Sequence, residues 1–332
     1  MVATHFQVWS LMLASVSFLA PKSASAQNCH CYLTNGTAPQ YLTNTRFFDF
    51  RNIANPRVPA AINNRTLAQN AGVTHAYFNS TNFTDTWGIS ARPDDNGLVY
   101  NVWSKNDVYI ASNTDSNAGS KTYLDLRTYR HPAANGNFQS SAELESASAA
   151  YQYVSMRMYA RTRGSSGGVT AMFTYRGGST ADLVQEADLE VLTRDATNII
   201  HYTNQPTIKG GVVQTNGTKK VTTTPAVWSA WQNHRYDWSA GSSNWYLNGK
   251  NVATIQYQTP VDPVSLLFNS WSDGGSWSGI MASGQSAEMQ IQWIQLIYNN
   301  TEEPSRYNHC ANVCSFDKGT LPGVAKVITS GP

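Results

Sequence analysis

Apolar and polar residues alternate with period two along several short runs of this chain. The clearest are Val154-Ser155-Met156-Arg157-Met158-Tyr159-Ala160 and Glu288-Met289-Gln290-Ile291-Gln292-Trp293-Ile294-Gln295-Leu296-Ile297-Tyr298. Residues 97–103 and 244–249 add runs rich in Val, Leu, Tyr and Trp. Asn, Gly, Ser and Asp cluster between such runs from about residue 40 to 300. Side chains of a strand alternate faces, so this pattern predicts many short strands, each with one buried face. Closely spaced turn signals favour a β-sandwich or barrel. Leu247-Asn248-Gly249-Lys250 carries the Asn-Gly signal of a tight hairpin. One large all-β domain is expected over residues 27–332, with residues 27–45 and 304–332 irregular.

Residues 181–192 break the pattern. Ala181-Asp182-Leu183-Val184-Gln185-Glu186-Ala187-Asp188-Leu189-Glu190-Val191-Leu192 is rich in helix formers, and Leu183, Ala187 and Val191 recur every four residues. Propensity alone reads this stretch as a helix. A helix would fan Glu186, Asp188 and Glu190 over a solvated surface. A strand would aim all three one way. The strand-rich flanks favour the strand. Three crowded carboxyls cannot all ionise normally, so at least one holds a proton near neutral pH. A proton donor beside a carboxylate is the equipment of glycoside hydrolysis.

The N-terminus places this chemistry in a compartment. A mostly apolar stretch from Gln7 to Ala20 is followed by Ala24-Ser25-Ala26, which predicts an export signal over residues 1–26 and cleavage after Ala26. No other segment approaches the length of a membrane span, and a free, secreted monomer is expected. Cys29, Cys31, Cys310 and Cys314 then read as two disulfides clamping the chain ends, with three pairings open. Cys-x-Cys spacing disfavours zinc. Asn35, Asn64, Asn79, Asn82, Asn216 and Asn299 open glycosylation triplets. Charged residues make up 13% of the chain with net charge +2 and no basic stripe, which argues against nucleic acid as a partner. Ten Trp and 17 Tyr are enough both to fill a core and to line a sugar groove.

With Glu186-x-Asp188-x-Glu190 in place, the chain resembles glycoside hydrolase family 16. Phe173-Thr174-Tyr175 before the triplet, Ile200-His201-Tyr202-Thr203-Asn204 after it, the pair 234–238 and 244–249, and Leu267-Phe268-Asn269-Ser270-Trp271 resemble the family's strand blocks over residues 85–298. Secreted fungal members look most similar. Ala187 replaces the usual branched residue, and the triplet lacks the extra residue of laminarinase-type members.

The resemblance implies a concanavalin A-like jelly-roll whose concave sheet forms the cleft. It also implies retention of configuration, with Glu186 as nucleophile, Glu190 as general acid and base, and Asp188 tuning both. Four strand residues span about 13 Å, whereas retaining carboxyls sit about 5–5.5 Å apart, so the strand must be curved. Trp271, Asn269, Trp277, His201, Tyr202, Asn204, Tyr175 and Trp103, and less strongly Trp87, are the candidate sugar contacts. Trp277 lies on a Gly-rich loop read as flexible. No cofactor is expected, with a structural calcium allowed for. The implied activity is endo-hydrolysis of β-1,3 or mixed β-1,3/1,4-glucan, its rivals a wall-remodelling transglycosylase and a lectin.

Overall fold

The period-two runs become strands in the computed structural model, which describes residues 28–330 apart from 96, 117 and 306–308. The expected export signal lies outside the described residues. Fifteen strands build the body in chain order: β1 (Asn44–Asp49), β2 (Trp87–Ile89), β3 (Val108–Ser112), β4 (Thr122–Arg130), β5 (Gln139–Ser146), β6 (Tyr151–Gly164), β7 (Val169–Arg176), β8 (Gln185–Leu192), β9 (Ile199–Gln205), β10 (Thr218–Thr222), β11 (Gln232–Ser239), β12 (Ser242–Leu247), β13 (Lys250–Ile255), β14 (Ser265–Trp271) and β15 (Ser286–Asn300). Of the run 97–103, only Asn101–Trp103 is a strand, paired in parallel with β5.

An inner antiparallel sheet runs β2-β5-β14-β7-β8-β9-β10. An outer sheet places β15 beside β6, followed by β11, β12 and β13. The other edge of β15 pairs with β1 along one half and with β4 along the other, and β3 lies beyond β4. β4 also pairs briefly with β5, joining the sheets at one edge. The core fills the space between them with alternate residues of both sheets, among them Phe48, Trp87, Met172, Leu189, Tyr202, Tyr236, Trp238, Trp245, Phe268 and Ile294. Each fully buried large side chain contributes about 1.5–3 kcal/mol. Asn248 and Gly249, with φ of 51° and 81°, make the predicted hairpin turn between β12 and β13.

The helix-prone stretch divides. Ala181–Leu183 makes a single 3-10 turn, and Gln185–Leu192 is β8. Ladder partners on β7 and β9 flank it, and Ala187, Leu189 and Val191 fill the core. Tertiary pairing outweighs local preference here.

The chain ends are not irregular, contrary to expectation. Gln40–Leu42, Cys31–Thr34, Asn312–Ser315 and Lys326–Ser330 form a separate four-stranded sheet. Its central pair joins strands some 280 residues apart, so local pattern could not reveal it. Cys29–Cys314 and Cys31–Cys310 are the disulfides. The terminal sheet docks on the outer sheet through Asp317, which receives Arg157 at 2.7 Å and Arg235 at 3.2 Å. Burial alone would raise the Asp317 pKa, but these two charges hold it below the usual range.

The paired disulfides predict a non-additive effect. Either one closes a loop of 285 or 279 residues, which is worth about 5 kcal/mol in the loop-entropy model. Once one is made, the other closes only a small ring. Removing one pair by Cys→Ser should therefore cost only the small-ring part, about 2 kcal/mol, and removing both should cost that part plus about 5 kcal/mol. Denaturant titration of the three variants checks this, and equal, additive losses would contradict it. Among the described residues, no helix is long and apolar enough to cross a membrane.

Candidate active site

β8 sets the site by parity. Ala187, Leu189 and Val191 point into the core, so Glu186, Asp188 and Glu190 emerge on the opposite, concave face. Register extends that face across the sheet. β9 places Gln205, Thr203 and His201 opposite Glu186, Asp188 and Glu190. β7 places Tyr175, Phe173 and Ala171 on the other side. β14 then aligns Asn269 with Ala171, and β5 aligns Glu143 with Asn269.

The acids form the floor of a groove. Asp94, Trp103, Ala171, Phe173, Asn269 and Trp271 line it on one side of them. Thr203, Gln205, Thr207, Thr218 and Trp277 line it on the other. Asp188 is 3% exposed, and Glu186 and Glu190 are half-buried. Burial raises the Asp188 pKa well above the usual carboxyl range, and the charges of Glu186 and Glu190 push it further. Burial also lifts Glu186 to about 7, against a hydrogen bond from Asp188 that favours the anion. Glu190 rises to about 7 for the same reason, against a hydrogen bond from Trp277. The cluster therefore retains protons at neutral pH and keeps an acid beside a carboxylate.

The predicted contacts divide. Trp271 lines both halves of the groove. Asn269 is 6% exposed, and its Oδ1 has no partner among the described residues. Trp103 lines the groove with Nε1 donating to Asp94 at 3.4 Å. Tyr175, 38% exposed, stands at the Glu186 end. Trp277 donates its indole N–H to Glu190 Oε2 at 3.1 Å. Its loop is a braced turn, a correction to the flexible reading: Asp273 Oδ1 accepts from Gly275 N–H at 2.8 Å and from the Ser278 hydroxyl at 2.6 Å. Gly274 and Gly279, with φ of 70° and 80°, make the bends.

Three predicted contacts are corrected. Tyr202 and Asn204 are fully buried on the core side of β9, and Asn204 Nδ2 donates to Tyr257 O at 2.9 Å. Period two forbids neighbours such as His201 and Tyr202 from sharing a face, so the strand could supply only one of the two. Trp87 packs in the core against Phe48 and Phe268.

Sequence reasoning missed Gln205, Thr203, Thr218, Asp94 and Glu143. Parity along β9 would have found the first two. Ala142-Glu143-Leu144-Glu145 alternates as openly as any run. Glu143 is 3% exposed, and its Oε1 accepts from Ser90 at 2.8 Å and Arg92 at 2.9 Å. Burial raises its pKa despite Arg92. Among the described residues, no group of three or more His, Cys, Asp or Glu side chains is arranged to hold a metal ion.

Residues 99–295 match the family model described as glycosyl hydrolases family 16. The chain is 26% identical over 234 residues to a beta-glucanase of Paenibacillus polymyxa, covering 68% of this chain and 86% of that protein. It is 25% identical over 210 residues to a beta-glucanase of Bacillus subtilis (strain 168), covering 60% and 83%. A prokaryotic beta-1,3-1,4-glucanase (lichenase) derived from a mouse hindgut metagenome shares the fold, with a TM-score of 0.53 at 14% identity over 77% of this chain and 99% of that one.

Proposed function

The chain belongs to glycosyl hydrolases family 16, a family of retaining enzymes, and from that membership we propose that it is a secreted endo-β-glucanase cleaving β-1,3 or mixed β-1,3/1,4 links. One observation carries the reading: three acids on one strand face, at the floor of a groove, with pKa values raised by burial. The beta-glucanase names of the relatives support the substrate class.

Each half-reaction uses the two outer acids. The Glu186 carboxylate attacks the anomeric carbon while Glu190 gives its proton to the departing glycosidic oxygen. The glycosyl ester on Glu186 is then attacked by water, whose proton passes to the Glu190 carboxylate. The C–O bond to Glu186 breaks, and both acids return to their starting states with net retention. Asp188 holds a proton between them and, by hydrogen bonding to Glu186, favours the nucleophile's anion.

Groove-lining residues on both sides of the acids support cleavage inside a polymer. Glu186, Asp188, Glu190 and Asp94 line that groove, and Glu143 lies beside it on the same face, with Arg92 as its ion-pair partner. This balance disfavours sulfated or uronic polymers and supports a neutral glucan. Incubating the protein with lichenan, laminarin and a sulfated galactan, followed by linkage analysis, tests the substrate. Release of oligomers from the sulfated polymer alone would refute it. A labelled oligosaccharide acceptor, recovered in polymer, would indicate transfer instead of hydrolysis.

The paired disulfides and exposed sequons support a secreted, glycosylated protein; the same reading takes it as a monomer of fungal type, with residues 27–332 as one catalytic domain. Asn35, Asn64, Asn79, Asn82 and Asn216 are exposed. Asn299 is half-buried, and its Oδ1 accepts from the Thr43 N–H at 3.0 Å and hydroxyl at 3.1 Å. Glycopeptide mass spectrometry of the secreted protein should find Asn299 bare while others carry sugar. High occupancy at Asn299 would contradict this geometry.

A further inference from the structure

We infer that His201 and Asp195 are positioning residues for Glu190, acting through the indole of Trp277; the inference rests on the acid–base role proposed for Glu190. His201 lies directly across the β8–β9 pair from Glu190 and is 6% exposed. Its Nε2 meets Asp195 Oδ2 at 2.7 Å. A carboxylate there accepts the Nε2 proton and so fixes both tautomer and ring plane. Lys220 Nζ stands 3.5 Å from the same carboxylate oxygen. The His201 ring meets the Trp277 indole at 5.0 Å between centroids and 71° between planes. The indole N–H completes the chain by donating to Glu190 Oε2 at 3.1 Å.

Trp277 is thus held from two sides, by the His201 ring and by the Asp273–Ser278 turn behind it. A side chain whose sole task was to stack on sugar would need neither its N–H aimed at the acid nor a carboxylate-locked ring beneath it. The donated hydrogen bond favours the Glu190 anion, the form required when the glycosyl-enzyme is hydrolysed. Other charged or titratable groups face Glu190 too. Asp188 and Glu186 share its strand. His201 faces it from β9, with Lys220 of β10 and Asp195 of the β8–β9 turn behind it. β7 offers only Ala171 there. The turn contributes Asp273, and Arg194 packs near its Gly279.

The test uses the whole secreted protein on soluble lichenan, measuring kcat, KM and the pH profile of kcat for Trp277→Phe, His201→Ala and Asp195→Asn. Losing the indole N–H should lower kcat about tenfold, and should raise the basic limb by about one unit because Glu190 keeps its proton longer. Asp195→Asn and His201→Ala should move the limb the same way by less, with KM within about twofold. If His201→Ala melts early, Asp195→Asn, at a partly exposed position, carries the test. An unmoved basic limb with KM alone raised would overturn the inference and leave these residues as sugar contacts. Full activity of Glu190→Gln would instead overturn the acid–base reading, so the two failures are separable.

Discussion

Glu186→Gln is expected to remove nearly all turnover of lichenan or laminarin, lowering kcat by roughly 10⁴-fold or more, because the amide cannot form the glycosyl ester. Its neighbours cannot substitute. Asp188 is buried and holds a proton, and Glu190 is tied to Trp277. The amide keeps the shape of the acid, so binding should survive and KM should change little. Glu190→Gln should behave differently. A substrate with a good leaving group needs no proton, so its first step should persist while polymer cleavage falls by about 10²–10⁴-fold. Adding azide, a small anion able to attack the glycosyl ester, should then restore turnover of the activated substrate in Glu190→Gln. Polymer turnover near that of the unmodified protein in either variant would dismiss the assignment.

The second large effect is on stability, and its sign follows from the raised pKa values. Glu186 and Glu190 titrate near 7 in the fold against about 4.5 when unfolded. The folded state therefore binds more protons across that window. Stability contributed by these groups is full below about pH 4.5 and is lost as pH rises toward 7. Asp195 and Asp317, with lowered pKa values, act oppositely at lower pH. Replacing Glu190 by its amide removes the cost of burying its charge. Glu190→Gln should melt about 3–6 °C higher than the parent at pH 8, for about 2 kcal/mol of relief, with little difference at pH 4.5. The three acids interact, so gains from combined variants should fall short of their sum. Calorimetry at the two pH values checks this. An inactive variant that is also less stable at pH 8 would show that the acids are not held under the strain described.

Much of this was legible because β8 obeys one rule. Once Glu186, Asp188 and Glu190 lie on a strand, their shared face and the burial of Ala187, Leu189 and Val191 follow together. The same rule on β9 parts His201, on the groove face, from Tyr202 and Asn204, which sit on the other face. Glu143 sits in a run that alternates openly, but nothing local marks its face as the groove's, and its partners Ser90 and Arg92 lie more than 50 residues away in sequence. The terminal sheet was invisible for a similar reason: Cys31–Thr34 pairs with a strand near the far end, and short runs declare no partner. The bracing of Trp277 depends on a hydroxyl and a carboxylate meeting across a turn, which composition read only as glycine-rich.

The most direct measurement traps the intermediate. A glucan oligosaccharide bearing 2-fluoro substitution and a dinitrophenyl leaving group should react once and stop. Intact mass should rise by one fluoro-oligosaccharyl group, with dinitrophenol released, and peptide mapping should place the ester on Glu186. A label on any other residue, or a first product of inverted configuration by NMR, would contradict the account.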